Sequence, residues 1–111
     1  MNLKENKHDK AVIIEIEGRL DTTNFNQLEN LIMQHINDGL RKFVIDCSGM
    51  DYVSSSGLRI FLMALKKVKA LNGRFLLCGL QENIREIFEI SGFTTIFDIY
   101  KNQEEALKSL D

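Results

Sequence analysis

Three times between residues 12 and 88 the chain passes from a short, mainly apolar run into a stretch whose apolar residues recur every three or four positions. Val12-Ile13-Ile14-Glu15-Ile16-Glu17, Phe43-Val44-Ile45-Asp46-Cys47 and Phe75-Leu76-Leu77-Cys78 are the runs. Phe25, Leu28, Leu31, Ile32 and Ile36 mark the first periodic stretch, Leu58, Phe61, Leu62, Leu65 and Val68 the second, and Ile84, Ile87 and Phe88 the third. Runs of this kind suit strands buried on both faces, and the 3.6-residue period suits amphipathic helices. A strand, a helix and another strand joined in this way make a right-handed crossover between parallel neighbours. The pattern therefore predicts an α/β fold whose parallel strands are covered by helices.

The ends extend this frame. Leu3 to Lys7 is a strand candidate that His8-Asp9-Lys10 turns back into the first run, and Ile96 to Tyr100 is the last strand. Asn102 and Glu105 form a capping pair for a final helix bearing Ala106, Leu107 and Leu110. The first helix starts near Thr23 or Asn24, with Gln27 placed as in a capping box, and Gly39 stops it. The second runs from about Gly57 to Leu71 with Gly73 as its stop, and the third from Gln81 to Ser91 before Gly92. A mixed sheet of four to five strands with four helices is expected, as one domain over residues 1–111.

Composition narrows the function classes. Hydrophobic residues make up 44% and charged residues 27%, which argues against disorder. Fourteen basic and 16 acidic side chains leave a net charge of −2, so no electrostatic footprint for nucleic acid or an anionic membrane is expected. No apolar run approaches membrane-spanning length and the first seven residues lack a signal-peptide core, which makes the cytoplasm the expected location. Cys47 and Cys78 belong to no ligand motif and read as buried reduced thiols. His8 and His35 are isolated as well, so neither a metal nor a cofactor is expected.

The stretch Tyr52-Val53-Ser54-Ser55-Ser56-Gly57-Leu58 puts three hydroxyls where a strand hands over to a helix. The first N–H groups of a helix lack intrahelical partners and favour negative charge, so a hydroxyl there is a natural place for a phosphate. Helix capping is the plain alternative for all three serines. Lys66, Lys67 and Lys69, near the other end of this helix, read as a solvated face compatible with its dipole.

Asp46-Cys47-Ser48-Gly49-Met50, followed by the serine triplet with Gly57-Leu58, resembles the signature of STAS domains, the fold of bacterial anti-sigma factor antagonists. Glu17-Gly18-Arg19-Leu20-Asp21 is similar to the family's Gly-x-Leu-Asp at the end of an early strand. Ser91 to Tyr100 and Glu104-Glu105-Ala106-Leu107 look like its closing strand and helix. The resemblance implies that Ser56, immediately before the motif glycine, is the residue phosphorylated, with Ser55 as the fallback. It also implies a partner surface of Asp21, Ser54, Ser55, Ser56, Gly57, Leu58 and Arg59. The implied partners are an anti-sigma factor that is also a serine kinase, and a serine phosphatase. A monomer or weak dimer is expected.

Two positions depart from the family pattern: Ser54 stands where an aspartate is common, and Arg59 where a small residue is common. Arg59 lies three residues beyond Ser56 on the same helical face, within reach of a phosphate there. Asp21 reads equally as a turn residue or a functional one, and Asp46 as structural or as a support for the serine loop. The rival within the fold is a soluble STAS subunit of a lipid transport system that docks without regulated phosphorylation. A serine hydrolase would need Gly-x-Ser-x-Gly and a base, and a nucleotide enzyme a Walker loop or Gly-x-Gly-x-x-Gly; none of these motifs occurs. The chain is expected to be a substrate of enzymes and not itself an enzyme.

Overall fold

The apolar run at residues 12–16 lies inside β2 (Ala11–Leu20), and the alternation along it sorts residues to two sides of a sheet. Val12, Ile14 and Ile16 enter a core of 22 buried residues, and Ile13 a second cluster of five on the opposite face. In this computed structural model, which describes residues 1–111, five strands stand in sequence order from β1 (Asn2–His8) to β5 (Asp98–Tyr100). β1 and β2 are antiparallel, while β3 (Lys42–Val53), β4 (Arg74–Cys78) and β5 each add in parallel.

Sequential order has a direct consequence for the layers. When each crossover has the same hand and moves the sheet one strand in the same direction, the connecting helices fall on one face. The helices α1 (Phe25–Asn37), α2 (Ser55–Ala70) and α3 (Glu82–Ile90) all contribute to the large core, through Leu28, Ile32, Ile60, Phe61, Val68, Ile84 and Phe88. Phenyl rings from successive elements link that core: Phe61 meets Phe88, and Phe88, Phe93 and Phe97 contact one another pairwise. The opposite face is closed by α4 (Gln103–Lys108), whose Ala106 packs with Val44, Leu76 and Cys78.

Local chemistry sets most of the helix ends. Asn102 Oδ1 accepts from the Glu105 N–H at 2.9 Å, as the capping pair predicts. α1 closes with Gly39 N–H donating to Ile36 O and Leu40 N–H to His35 O, a Schellman arrangement. α2 closes in the same way, but Asn72 and not Gly73 takes the left-handed conformation. Gly73 is there for space, since a Cβ would sit 2.2 Å from Arg41 O.

Three expectations need correction. Asn24 precedes α1, but its side chain makes no helix-capping bond and the capping box with Gln27 does not form. The last strand is shorter than residues 96–100, because Phe93–Thr95 form a 3-10 turn and β5 starts at Asp98. β3 does not end with the apolar run at Cys47 but continues through Ser48 and Gly49 to Val53, so Asp46 lies in mid-strand.

That extension positions the serines. β4 pairs with β3 only from Lys42 to Asp46, whereas β2 follows β3 to its end, with Leu20 opposite Val53. Between Glu15↔Asp46 and Leu20↔Val53, β3 contains two more residues than β2, and the register breaks twice. Such bulges bend a strand and sharpen its twist. Asp46 Oδ1 accepts from the Ser48 N–H at the first break, and Asp46 Oδ2 accepts from Gln103 Nε2. Where β4 no longer covers β3, Gln81 Nε2 donates to Ser48 O and Asn83 Nδ2 to Asp51 O.

Candidate functional site

The serine triplet starts at the end of this bent ribbon. Ser54 has extended backbone angles and its N–H donates to Leu20 O at 2.9 Å, which fixes the handover from β3 to α2 against the end of β2. Its Oγ accepts from the Gly57 N–H at 3.2 Å and its carbonyl from the Leu58 N–H at 3.0 Å, so Ser54 is the N-cap of α2. The capping role read from the sequence belongs to Ser54 alone. Ser55 is exposed and Ser56 half-exposed, and neither hydroxyl makes a hydrogen bond within the protein.

Gly57 is buried beneath this corner. A Cβ there would lie 2.9 Å from both Leu20 Cγ and Val53 Cγ2, closer than atoms pack. The glycine thus lets the first turn of α2 sit directly on the ends of β2 and β3, holding Ser55 and Ser56 at the rim. Leu58 is half-buried and packs on the core. Arg59 is exposed and engages no carboxylate.

Asp21 is the next residue after Leu20, so the pairing of Leu20 with Val53 sets it beside the serine junction. Its Oδ1 accepts from Thr23 Oγ1 at 2.6 Å and from the Thr23 N–H at 2.9 Å, and its Oδ2 lies 3.5 Å from Arg19 Nε. The Thr23 hydroxyl, then the Thr23 N–H, hold the Asp21 carboxyl below the usual carboxylate range, with Arg19 adding to them. Arg19 in turn stacks over the Tyr52 ring, 4.0 Å from its centroid. Asn24 is buried and ties the turn together, accepting from the Asp21 N–H and donating to Arg19 O.

The corner therefore unites Asp21 with Ser54, Ser55, Ser56 and the start of α2, and it adds Arg19, Thr23, Asn24 and Tyr52, which sequence reasoning did not select. Strand register is what brings Arg19 opposite Tyr52, and no local pattern reveals it. Asp46 stands apart as a structural tether of the bulge. Cys47 and Cys78 are buried free thiols on opposite faces of the sheet. Burial pushes Cys78 up to about 12 and Cys47 well above its ordinary value, so neither is a thiolate near neutral pH. No helix is long and apolar enough to cross a membrane.

Comparison with known proteins bears on this arrangement as a whole. The STAS domain family matches residues 2–106. BtrV of Bordetella bronchiseptica, provisionally named an anti-sigma factor antagonist, is 37% identical over 106 residues, covering 96% of this chain and 91% of that protein. Among solved structures, an anti-sigma factor antagonist of Thermotoga maritima, also provisionally named, superposes with a TM-score of 0.92 at 20% identity, covering 96% of this chain and 92% of the other. The Bacillus cell fate determinant SpoIIAA in its phosphorylated form superposes with a TM-score of 0.80 at 21% identity, covering 99% of this chain and 100% of the other. At such identities the superpositions speak for the fold alone.

Proposed function

The chain belongs to the STAS domain family, and on that premise we propose that it is an anti-sigma factor antagonist whose binding is switched off by phosphorylation at Ser56. Unphosphorylated, the corner of Asp21, Ser54, Ser55, Ser56, Gly57, Leu58 and Arg59 docks on an anti-sigma factor that is also a serine kinase, and a sigma factor is released. ATP belongs to that kinase, and a serine phosphatase restores the binding form. The protein works in the cytoplasm by binding and not by catalysis.

The observation that supports this reading most is the state of Ser56. It is half-exposed, its hydroxyl is unengaged, and it lies in the first turn of α2, where the free N–H groups and the dipole favour an anion. The departure at Ser54 also keeps its physical role, since a serine caps a helix about as well as the aspartate it replaces.

A phosphate adds about −1.5 to −2 charges and three acceptor oxygens. Exposed at a helix start, it is favoured within the monomer by only about 0.3–1 kcal/mol. Docking that strips water from it costs several kcal/mol unless a cation compensates. A penalty of about 3 kcal/mol weakens association by roughly 100-fold or more with no refolding. Arg59, one turn along, is the nearest cation in sequence able to neutralise the phosphate at home.

Phosphopeptide mapping from native cells, paired with affinities of Ser56→Ala and Ser56→Asp for the partner they recover, tests the reading. Phosphate on Ser56, full binding by Ser56→Ala and a loss of about 100-fold in Ser56→Asp are expected. Equal binding by both variants to a membrane transport complex, with no phosphate found, would establish the rival transport subunit instead.

A further inference from the structure

α2 has a charge imbalance that the phosphorylation site does not use. From Ser55 to Ala70 it contains Arg59, Lys66, Lys67 and Lys69 and no acidic residue, a charge of +4; the chain's −2 leaves the other 95 residues at −6. All four cations are exposed, and none lies within ion-pair distance of a carboxylate, a state shared by six of the ten Lys and Arg residues elsewhere; what sets α2 apart is that its cations stand together with no acidic residue on the helix. The three lysines suit the negative C-terminal end of the helix dipole. Arg59 does not, since it sits in the second turn, near the positive end, with no anion to offset the repulsion.

The same face has apolar content. Arg59, Leu62, Met63, Lys66 and Lys67 lie side by side on one open face of the helix. Leu62 and Met63 are partly exposed while resting on the core. Ser56, Arg59, Met63 and Lys67 follow one another at three- and four-residue steps, so this face is continuous with the serine corner along one stripe. Two apolar side chains bordered by unpaired cations suit a protein surface that offers carboxylates around an apolar contact.

Building on the reading that the serine corner docks a protein, we propose that the exposed stripe of α2 from Arg59 to Lys67 is the second half of the same docking surface, and that its occupant is an acidic segment of that partner with an apolar side chain seated on Leu62 and Met63. The stripe draws the partner in through charge, which raises the association rate more than the final affinity. It also refines the switch. In the unmodified protein Arg59 is free for a partner carboxylate, and a phosphate three residues away competes for it, so modification withdraws a docking cation as well as adding a repulsive anion.

Photo-crosslinking in cells tests this: a benzophenone amino acid is placed singly at Ser55, at Met63 and, as a control on another face, at Ile90. The expected result is one partner polypeptide trapped from both Ser55 and Met63 and not from Ile90, with the Met63 adduct mapping to a segment rich in Asp and Glu. With this protein and the trapped partner purified, adding Lys66→Glu and Lys67→Glu should lower the Met63 yield by about tenfold at low salt, with far less effect at high salt, and thermal unfolding of that variant should match the parent. An adduct from Ser55 without one from Met63 would overturn the stripe while sparing the corner. Met63 adducts with phospholipid, with a second copy of the chain, or with a segment lacking acidic residues would overturn it as well. Absence of a protein adduct from either position would sink the docking reading itself.

Discussion

Two strand-to-helix junctions stand side by side at the same end of the sheet, and they use their polar groups in opposite ways. At the β2–α1 junction four side chains are tied to one another or to the backbone: Asn24 holds the Asp21 N–H and Arg19 O, while Asp21 holds Thr23 and Arg19, and only the Thr22 hydroxyl is left to solvent. At the β3–α2 junction Ser54 alone is engaged, by Gly57, and the next two hydroxyls are left to solvent. One junction is closed and serves as a foundation, and the other is open at its rim. The difference implies that the engaged side chains, Asn24 and Ser54 above all, should matter for stability, and the free hydroxyls of Ser55 and Ser56 for binding, with Asp21 held in place by the first junction and presented beside the second.

The sharpest way to break that contrast is at Asn24. Replacing it with alanine leaves the Asp21 N–H and Arg19 O without partners in a part-buried turn. A loss of about 1–3 kcal/mol is expected from Asn24→Ala, the cost of groups left desolvated and unpaired. Urea unfolding with an unchanged m-value would measure it. A stability within experimental error of the parent would show that the junction is not a foundation.

A smaller effect is expected at Ser54. Ser54→Ala removes one capping bond and should cost about 1 kcal/mol, and Ser54→Asp should restore it, because aspartate caps comparably and suits the positive helix end. The pair of variants separates capping from any part of Ser54 in recognition. Stability regained with binding still impaired would move Ser54 from support to contact.

Legibility from sequence divides along the same line. The strands and helices could be read because burial on one or both faces imposes a period on apolar residues, and the core formed by Val12, Ile14, Phe61 and Phe88 is the residue set that period selects. The far half of β3 could not be read that way. Ser48, Gly49 and Asp51 interrupt the apolar pattern, and what keeps that segment a strand is its pairing with β2 plus side chains of Gln81 and Asn83 from more than thirty positions away. Asn24 misled for a related reason: an asparagine before a helix reads as a cap, but here its amide faces back toward the Arg19 carbonyl. At the serines, local chemistry reached as far as a helix start with hydroxyls. The choice of Ser56 rests on family resemblance, and the three lysines of α2 read from sequence as ordinary dipole complementarity, with Arg59 near the helix start as the one cation that this does not account for.

The smallest expected effect says the most about regulation. Ser56→Ala and Ser56→Asp should each leave the unfolding free energy within about 0.5 kcal/mol of the parent, because the hydroxyl has no protein partner to lose and the site is half-open to water. A phosphate on Ser56 should be neutral or stabilising by about 0.3–1 kcal/mol, the interaction of an anion with an exposed helix start. Thermal or urea unfolding of the two variants and of a phosphorylated sample checks this. The logic of the switch depends on that near-neutrality: a modification that destabilised the monomer by several kcal/mol would remove the protein along with the interaction, whereas one confined to the rim alters what can approach and leaves the fold ready for the phosphate's removal. Unfolding of the phosphorylated form at markedly lower urea would therefore count against a reversible rim-charge switch, even if binding were lost as expected.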